Sequence, residues 1–420
     1  MGRRSEAAAY VTILSGNLPL SLLSAAAAGH RKAKLGFIDA LRGYAVLLVI
    51  TSHAGMSVTE LPYPIRKLTN FGWYGVQLFF LMSCVTLLLS WRSDEAKGTA
   101  NLRFFWIRRL LRIAPMYYAA GLLFFVVMPP ELGFDVQEAL ASALFVNSWH
   151  PILMPTVAHK WSVVPGGWSV GVEFTFYLIF PVFAALVGTW RRAVVVAVAG
   201  FAVAYVSTVV AEPLLLPSYG KTATEMFLFY WFPHQFPVFA LGAVLYHALK
   251  ATWDAPEGSV TRLLRCHGTW VAVGCIGACI AVASLPFPGR MPAPPLYLPR
   301  PYLASIIFMV LALALGNSKV NLLNNRWIRS FGRVSFSAYL LHFAVIHMLT
   351  RLPGVFDTSA TGYRAILMFA LLYLCTVPIT HLLAIVTFNA IEQPMMEVGR
   401  TLIAKSSTRS VRQTLVARAT

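Results

Sequence analysis

Residues 36–55, with the sequence GFIDALRGYAVLLVITSHAG, form an apolar segment that is long enough to cross a membrane as one helix. An α-helix rises about 1.5 Å per residue, so about 20 apolar residues span a hydrocarbon layer about 30 Å thick. This segment also contains Asp39, Arg42 and His53, and such ionisable residues are rare in membrane helices. They are therefore the first candidates for a functional role.

Similar apolar segments recur along the whole chain of 420 residues, which is 58% hydrophobic and only 12% charged. This composition is too apolar for a water-soluble domain. We expect about ten membrane-spanning helices in an all-α, polytopic membrane helix bundle. The predicted spans are about 36–56, 71–90, 105–127, 168–188, 193–211, 225–248, 269–285, 301–316, 331–350 and 365–390.

The net charge of +18 has to be explained, because basic chains often bind nucleic acid. The even-numbered connections and both tails hold 25 of the 34 lysines and arginines, whereas the odd-numbered connections hold 8. This asymmetry is the positive-inside pattern of a membrane protein. It predicts that both termini are cytoplasmic and that the chain is a multi-pass protein of the cell (inner) membrane. Binding of nucleic acid is not expected.

The chain divides into three parts. Residues 1–35 are expected to be a poorly ordered cytoplasmic extension. A cleaved signal peptide is the alternative, but its removal would leave the basic cluster at 31–34 outside the cell, against the charge pattern. Residues 36–395 form one membrane domain, and 396–420 form a basic cytoplasmic tail. The number of cysteines is odd, and neither a disulfide framework nor a metal site is expected.

Two outer connections stand apart from the others. The connection at 128–167 is long and contains His159 and Trp161, whose side chains suit a sugar face, and long loops are often functional. We therefore expect it to face the acceptor of any reaction. The connection at 286–301 carries seven prolines and is expected to be extended and stiff.

Arg42 and His53 are eleven residues apart in the first span. At 100° per residue this spacing places them about 20° apart around the helix and about 16 Å apart along it. They therefore share one face, with Arg42 toward the cytoplasm, where Asp39 can pair with it. Histidine is the side chain best suited to moving a proton at neutral pH. The alternative is that Arg42 and Asp39 extend to the inner interface and that His53 is an interfacial residue.

Arginines and carboxylates near other spans are weaker candidates. Arg109 and Arg112 are three residues apart at the start of the third span, where their guanidinium forks suit phosphate, although flanking positive charge is the ordinary explanation. Glu173 in the fourth span needs a partner or a wet cavity, and its depth is similar to that of His53. Trp168 is most simply an interface anchor. Glu392 is expected to be an exposed interfacial carboxylate.

Three further histidines lie in predicted spans. His234 and His381 are expected to be interior side chains with hydrogen-bond partners. His342, in the string FSAYLLHF, is open to the same explanation.

Together these strings resemble the acyltransferase 3 family of integral membrane acyltransferases over most of residues 36–395. In that family the first span carries an R-x10-H signature, which falls here on Arg42 and His53, and an R-x-x-R pair falls on Arg109 and Arg112. The matching strings are FIDALRGYAVLLVITSH, GWYGVQLFFLMS, RRLLRIAP, GGWSVGVEFTFYLIFP, FGRVSFSAYLLH and IEQP, and Glu173 and Glu392 match further family positions.

The sequence departs from the family pattern at two points. After the FF pair of the second span the family usually has Ser-Gly, whereas this chain has Ser83 and Cys84, so the helix packing there is expected to differ. Some members also carry an extracellular hydrolase-like domain. We expect this chain to act without one or with a separate partner.

The resemblance implies O-acyl transfer, commonly of acetyl, from cytoplasmic acyl-CoA to a hydroxyl of an extracytoplasmic glycan or another acceptor, such as a macrolide. Acyl-CoA is then a co-substrate, expected to be acetyl-CoA, and no metal is needed; membrane lipid surrounds the bundle. His53 would be the general base and Glu173 would orient it. Arg42 would hold the pantetheine arm or its carbonyl, and Arg109 with Arg112 the phosphates. An acyl-histidine intermediate is a variant of this mechanism.

A transporter or flippase of a lipid-linked or small polar solute is the alternative from a different class, because buried charges also line transport paths. Inverted repeats or paired broken helices would favour it, and neither is visible in the sequence. The oligomeric state and the identity of the acceptor are beyond what the sequence predicts.

Overall fold

The computed structural model describes residues 35–130, 133–154, 161–284, 299–318 and 322–419, with side chains described as far as residue 406. The described residues form α-helices joined by short connections. In chain order they are α1 (Gly36–Met56), α2 (Tyr63–Phe71), α3 (Gly75–Ala96), α4 (Leu102–Val127), α5 (Val136–Ala143), α6 (Trp168–Leu186), α7 (Trp190–Tyr230), α8 (Phe232–Asp254), α9 (Ser259–Ser284), α10 (Arg300–Asn317), α11 (Arg326–Arg333), α12 (Ser335–Thr350), α13 (Gly362–Thr387) and α14 (Gln393–Ala419).

The prediction of an all-α, polytopic membrane bundle is confirmed. Eight helical segments in the described ranges are long and apolar enough to cross a membrane. One of them, Trp190–Asp254, is 65 residues long and contains both α7 and α8, and α12 is a shorter apolar helix of 16 residues. When α7 and α8 are counted as two helices and α12 is added to the eight segments, each of the ten predicted spans has a helix in the bundle.

Several predicted boundaries were wrong. The sixth span was expected to begin at about residue 225, but α7 continues to Tyr230 across a break at Gly220, whose φ is 71°. The ninth span was expected to be continuous, but it is divided at Val334 into the short, amphipathic α11 and the apolar α12. In both places a backbone irregularity that hydropathy does not reveal interrupts the helix.

The connection at 128–167, which was expected to be a long loop, contains α5 and a 3-10 turn at Pro151–Leu153. His159, most of the proline-rich connection and the N-terminal extension at 1–34 lie outside the described residues.

The helix ends meet in two groups. At the end predicted to be cytoplasmic, called the inner end below, the Arg92 side chain donates to the Ala184 carbonyl at 2.5 Å, which joins the last turns of α3 and α6. At the opposite, outer end, the backbone N–H of Thr59 donates to the carbonyl of Thr358 at 2.9 Å. Each of these contacts joins chain segments that the charge pattern assigns to the same side of the membrane.

Helix α1 lies at the centre of the bundle, in contact with α3, α11, α12 and α13. Gly332 of α11 packs directly on it: a Cβ atom at this position would lie 1.7 Å from the carbonyl oxygen of Asp39. Small residues allow such backbone approach between membrane helices. This contact holds α11 against the first turn of α1 and so fixes the surroundings of Asp39 and Arg42.

Cys84, which stands where the family pattern has glycine, packs against a glycine on the facing helix. Gly242 of α8 lies so close to α3 that a Cβ atom there would be 2.6 Å from the Cβ of Cys84 and 2.8 Å from the carbonyl oxygen of Leu81. The glycine on α8 thus allows a close approach between α3 and α8, and a difference from the packing in the family stays a prediction.

Replacing Gly332 by alanine should destabilise the bundle, by roughly the 1–3 kcal/mol typical of overpacking, because α11 has to move away from α1. Gly274 of α9 is the matched control, since a Cβ atom there meets nothing within 4 Å. Thermal unfolding of both variants in one detergent checks this prediction. A Tm for Gly332→Ala equal to that of Gly274→Ala would show that the close contact is not needed.

Candidate active site

His53 lines a cavity of about 310 Å³ near the outer end, called the outer chamber below. The chamber lies between α1, α6, α7 and α12, and its walls are largely aromatic. Trp168 and Tyr230 form one side of it, with ring centroids 4.3 Å apart, and Phe343 lies beside His53 with ring centroids 4.3 Å apart. The imidazole is thus half-buried, and it faces a space that can hold a small molecule or a single sugar ring.

A second, narrower cavity of about 40 Å³, called the inner cleft, contains Arg42, Ser83 and Glu173. Val76 and Tyr339 line both cavities, so the cleft adjoins the chamber. Arg42 and His53 therefore face adjoining cavities, as their spacing on one helix predicts. The two cavities thus lie next to each other along the bundle, with the cleft on the inner side of the chamber.

The Glu173 carboxylate is held by hydrogen bonds within the inner cleft. Its Oε1 accepts hydrogen bonds from the hydroxyls of Ser83 at 2.5 Å and Tyr177 at 2.6 Å, and its charge is within electrostatic reach of Arg42 and Arg109. The carboxylate thus lies with the arginines, whereas His53 lies in the outer chamber. The expectation that Glu173 orients His53 does not fit this arrangement.

The error over Glu173 has a simple cause. The depth counted along one helix does not show which side chains meet, because neighbouring helices differ in tilt, axial offset and rotation. Tyr177 could have been found from the sequence, since it follows Glu173 by four residues on one helix face. Ser83 is on another helix, and no local pattern indicates its contact with Glu173.

Arg109 and Arg112 reach the same region from α4. Arg109 is within electrostatic reach of Glu173 and Tyr177, and Arg112 is within reach of Arg42. The Arg109 Nε is buried without a hydrogen-bond partner among the described residues. Four of the five predicted site residues therefore come together toward the inner end, and His53 lies apart from them.

Asp39 extends this group toward α11. It interacts electrostatically with Arg42, Arg112, Arg329 and Arg333. We call the whole group the charge cluster; its members are Asp39, Arg42, Arg109, Arg112, Glu173, Arg329, Arg333 and Glu392. It contains five arginines and three carboxylates. Within the described ranges the ion pairs closer than 4.0 Å are Arg92–Glu95 and Arg108–Asp94, so none joins two members of the cluster.

Glu392 was expected to be exposed, and this expectation was wrong. The residue is only 3% exposed, its carboxylate accepts a hydrogen bond from the Ser337 hydroxyl, and Arg112 and Arg42 are within electrostatic reach. It ends a π-helical turn, Phe388–Glu392, between α13 and α14. The turn changes the phase of the helix and directs Glu392 inward, and π-helical turns are frequent at functional sites.

The weaker histidine candidates differ in their surroundings. His234 Nε2 lies 2.7 Å from the Thr208 hydroxyl, and His381 Nε2 lies 3.3 Å from that of Ser330, so both have partners as expected. His342 is fully buried, and its ring lies 5.2 Å from that of His53. Its place in the family-like string FSAYLLHF was the signal that could have raised its rank.

Two tryptophans near the outer end lie in surroundings different from those expected. Trp168 was taken as an interface anchor but lines the outer chamber. Trp161 was expected to face the acceptor, but its indole N–H donates to the Met128 carbonyl at 3.0 Å and its ring packs on Phe125 and Phe134. The long connection contributes Ser162, Pro165 and Gly166 to the chamber wall instead.

Comparison with known proteins finds relatives that are named acyltransferases or O-acetyltransferases. Acyltransferase MdmB from Streptomyces mycarofaciens is 28% identical over 374 residues, which cover 81% of this chain and 88% of that protein. The putative peptidoglycan O-acetyltransferase YrhL from Bacillus subtilis is 26% identical over 390 residues, 86% of this chain but 55% of its own length. The peptidoglycan O-acetyltransferase OatA from Listeria monocytogenes is 29% identical over 167 residues, which cover 37% of this chain and 25% of that protein.

No solved structure matches the chain significantly. Residues 35–388, most of the chain, match the acyltransferase 3 family, which is described as an acyltransferase domain. Membership of this family makes the protein a transferase and favours acyl transfer over the alternative of a transporter or flippase. The chain belongs to the acyltransferase 3 family of membrane acyltransferases.

Proposed function

We propose that the protein transfers an acyl group, expected to be acetyl, from cytoplasmic acyl-CoA to a hydroxyl of an extracytoplasmic glycan or a similar acceptor. The observation that carries this proposal is the pair of adjoining cavities, with arginines at the inner end and His53 in the outer chamber. The protein would act in the cell (inner) membrane with both termini in the cytoplasm. This orientation follows from the distribution of basic residues.

The charge cluster suits the phosphates of CoA. Its arginines outnumber its carboxylates. In the described part of the chain, no member of the cluster forms an ion pair with an N···O distance of 4.0 Å or less. Guanidinium groups bind phosphate through two parallel hydrogen bonds, and an arginine whose donors are not saturated is available for this. Arg109 and Arg112 would hold the phosphates at the inner end.

The rest of the donor would pass through the inner cleft. At about 40 Å³ the inner cleft excludes a ring-shaped acceptor, and it would have to widen to admit the pantetheine arm as an extended chain. Arg42 would bind the carbonyl groups of the arm as it passes. Because Arg42 and His53 are separated by about 16 Å along α1, an extended arm would deliver its thioester toward the outer chamber.

His53 would act there as the general base. It removes the proton of the acceptor hydroxyl, the hydroxyl oxygen forms a bond with the thioester carbonyl carbon, and the carbon–sulfur bond then breaks. The departing thiolate takes the proton from His53 and leaves as CoA. In the acyl-histidine variant, His53 itself attacks the thioester and then passes the acyl group to the acceptor; trapping of acylated His53 with donor alone distinguishes the two.

Glu173 has a different role in this scheme from the one that its depth suggested. Its carboxylate offsets the charge of Arg42 and is held by Ser83 and Tyr177. It would keep Arg42 directed into the cleft rather than orient His53. Glu173 is thus a positioning residue for the donor path.

The acceptor would occupy the outer chamber. Aromatic walls such as Trp168 and Tyr230 suit the apolar faces of sugar rings, and the chamber volume of about 310 Å³ accommodates a small ring. The relatives from Bacillus and Listeria are named for peptidoglycan, which supports a hydroxylated glycan as the acceptor class. Other hydroxylated small molecules fit the same chamber.

Replacing His53 by alanine should lower turnover by roughly 10²- to 10⁴-fold, the range typical of losing a general base, and leave acyl-CoA binding nearly intact. The measurement is acyl transfer and donor affinity with purified protein in vesicles. His381→Ala serves as control, because this second half-buried histidine lies outside both cavities. Solute flux without acyl transfer by the unmodified protein would contradict the proposed function.

Replacing Arg109 or Arg112 by alanine should weaken acyl-CoA binding by about 1.5–3 kcal/mol, the loss expected for a charged hydrogen bond, which is roughly 10- to 150-fold in Kd. Arg108→Ala is the matched control on the same helix, since Arg108 is paired with Asp94 at 2.7 Å. Titration of each variant with acyl-CoA checks the prediction. Equal affinities for all three variants would mean that the phosphates bind elsewhere.

Replacing Trp168 by alanine should raise the KM for the acceptor severalfold with little effect on donor affinity, because its ring forms a wall of the outer chamber. Trp161→Ala tests the earlier expectation and serves as the control, because Trp161 packs on Phe125 and Phe134 instead. Steady-state kinetics with varied acceptor give the comparison. A larger change in acceptor KM for Trp161→Ala would place the acceptor against the long connection.

A further inference from the structure

His342 forms a buried pair with His53 that the mechanism above does not use. It stands on α12, opposite α1, and the two imidazole centroids are 5.2 Å apart with their planes inclined at 40°. Phe343 packs against both rings, at 4.3 Å from His53 and 4.1 Å from His342. His342 is fully buried and does not line the outer chamber, so it lies behind His53 as seen from the acceptor.

The hydrogen bond to the backbone determines which nitrogen of His342 carries the proton. Its Nδ1 lies 2.6 Å from the carbonyl oxygen of Tyr339. A carbonyl oxygen can only accept, so Nδ1 is the donor, and in the neutral ring the lone pair is on Nε2. This nitrogen is buried and has no hydrogen-bond partner among the described residues. A buried hydrogen-bond acceptor without a donor costs free energy of folding, so a donor to this Nε2 is expected.

We propose that His342 is the positioning residue of His53, accepting an N–H from that imidazole at its Nε2. Two imidazoles joined edge to edge by an N–H···N bond have a centroid separation close to the observed 5.2 Å, so the spacing of the two rings suits this bond. His53 would then be fixed in one tautomer, with its other nitrogen available to the acceptor hydroxyl. No proton passes to His342; it acts through His53 alone.

This inference rests on the proposed function, because it assigns His342 a task only if His53 is the base. The contact with Phe343 restricts both rings, and the Tyr339 carbonyl restricts His342, so the pair is well placed for such a role. A histidine orients another functional group in this way when its own second nitrogen is fixed by a backbone acceptor.

The test compares two replacements of His342. His342→Phe retains a planar ring but has no acceptor, and His342→Gln can place an amide oxygen near the former Nε2. We expect kcat to fall roughly 10- to 100-fold in His342→Phe, with donor Kd and acceptor KM nearly unchanged, and to be partly restored in His342→Gln. His234→Phe is the control for loss of a buried histidine elsewhere, and its kcat should be close to that of the unmodified protein.

A double variant separates positioning from a general structural effect. In a His53→Ala background, His342→Phe should cause no further loss of turnover, because the residue acts through His53. An additional loss in that background, or equal losses for the Phe and Gln variants, would overturn the inference while leaving the proposed function intact. If His53→Ala itself kept full turnover, the proposed function would fail first.

Discussion

A guanidinium inside an apolar helix bundle needs a nearby opposite charge or a polar cavity, and this requirement governs the region around Arg42. Glu173 supplies the charge, and Ser83 and Tyr177 hold Glu173 in place by hydrogen bonds of 2.5 and 2.6 Å. Three helices, α1, α3 and α6, are thereby joined through one polar contact region. The inner cleft lies where these side chains keep the apolar helices from closing on one another.

Close backbone packing makes this arrangement possible. Gly332 brings α11 against Asp39 of α1, and Gly242 brings α8 against Cys84 of α3. These contacts fix the positions of the two helices that carry Arg42 and Ser83. The result is a division along the bundle, with five arginines of the charge cluster toward the inner end and an aromatic chamber toward the outer end. Under the proposed function, the arginines at the inner end would bind an anionic donor and the aromatic chamber at the outer end would bind a ring-shaped acceptor.

Properties that depend on a single helix could be predicted from the sequence. Arg42 and His53 share a helix of regular geometry, so their common face followed from their spacing, and the apolar segments predicted the bundle itself. Contacts between helices could not be predicted in this way. Glu173 was assigned to His53 on depth alone, the inward direction of Glu392 depends on a π-helical turn, and the pairing of His342 with His53 requires α1 and α12 to be neighbours.

The central claim is that donor and acceptor reach His53 from opposite ends of the bundle. The most direct measurement uses protein reconstituted in one orientation in sealed vesicles, with acyl-CoA on one side of the membrane and a hydroxylated acceptor on the other. We predict acyl transfer when acyl-CoA is on the side of Arg109 and Arg112 and the acceptor is on the side of the outer chamber, and none when the two are exchanged. Transfer only when both substrates are on the same side would contradict the account.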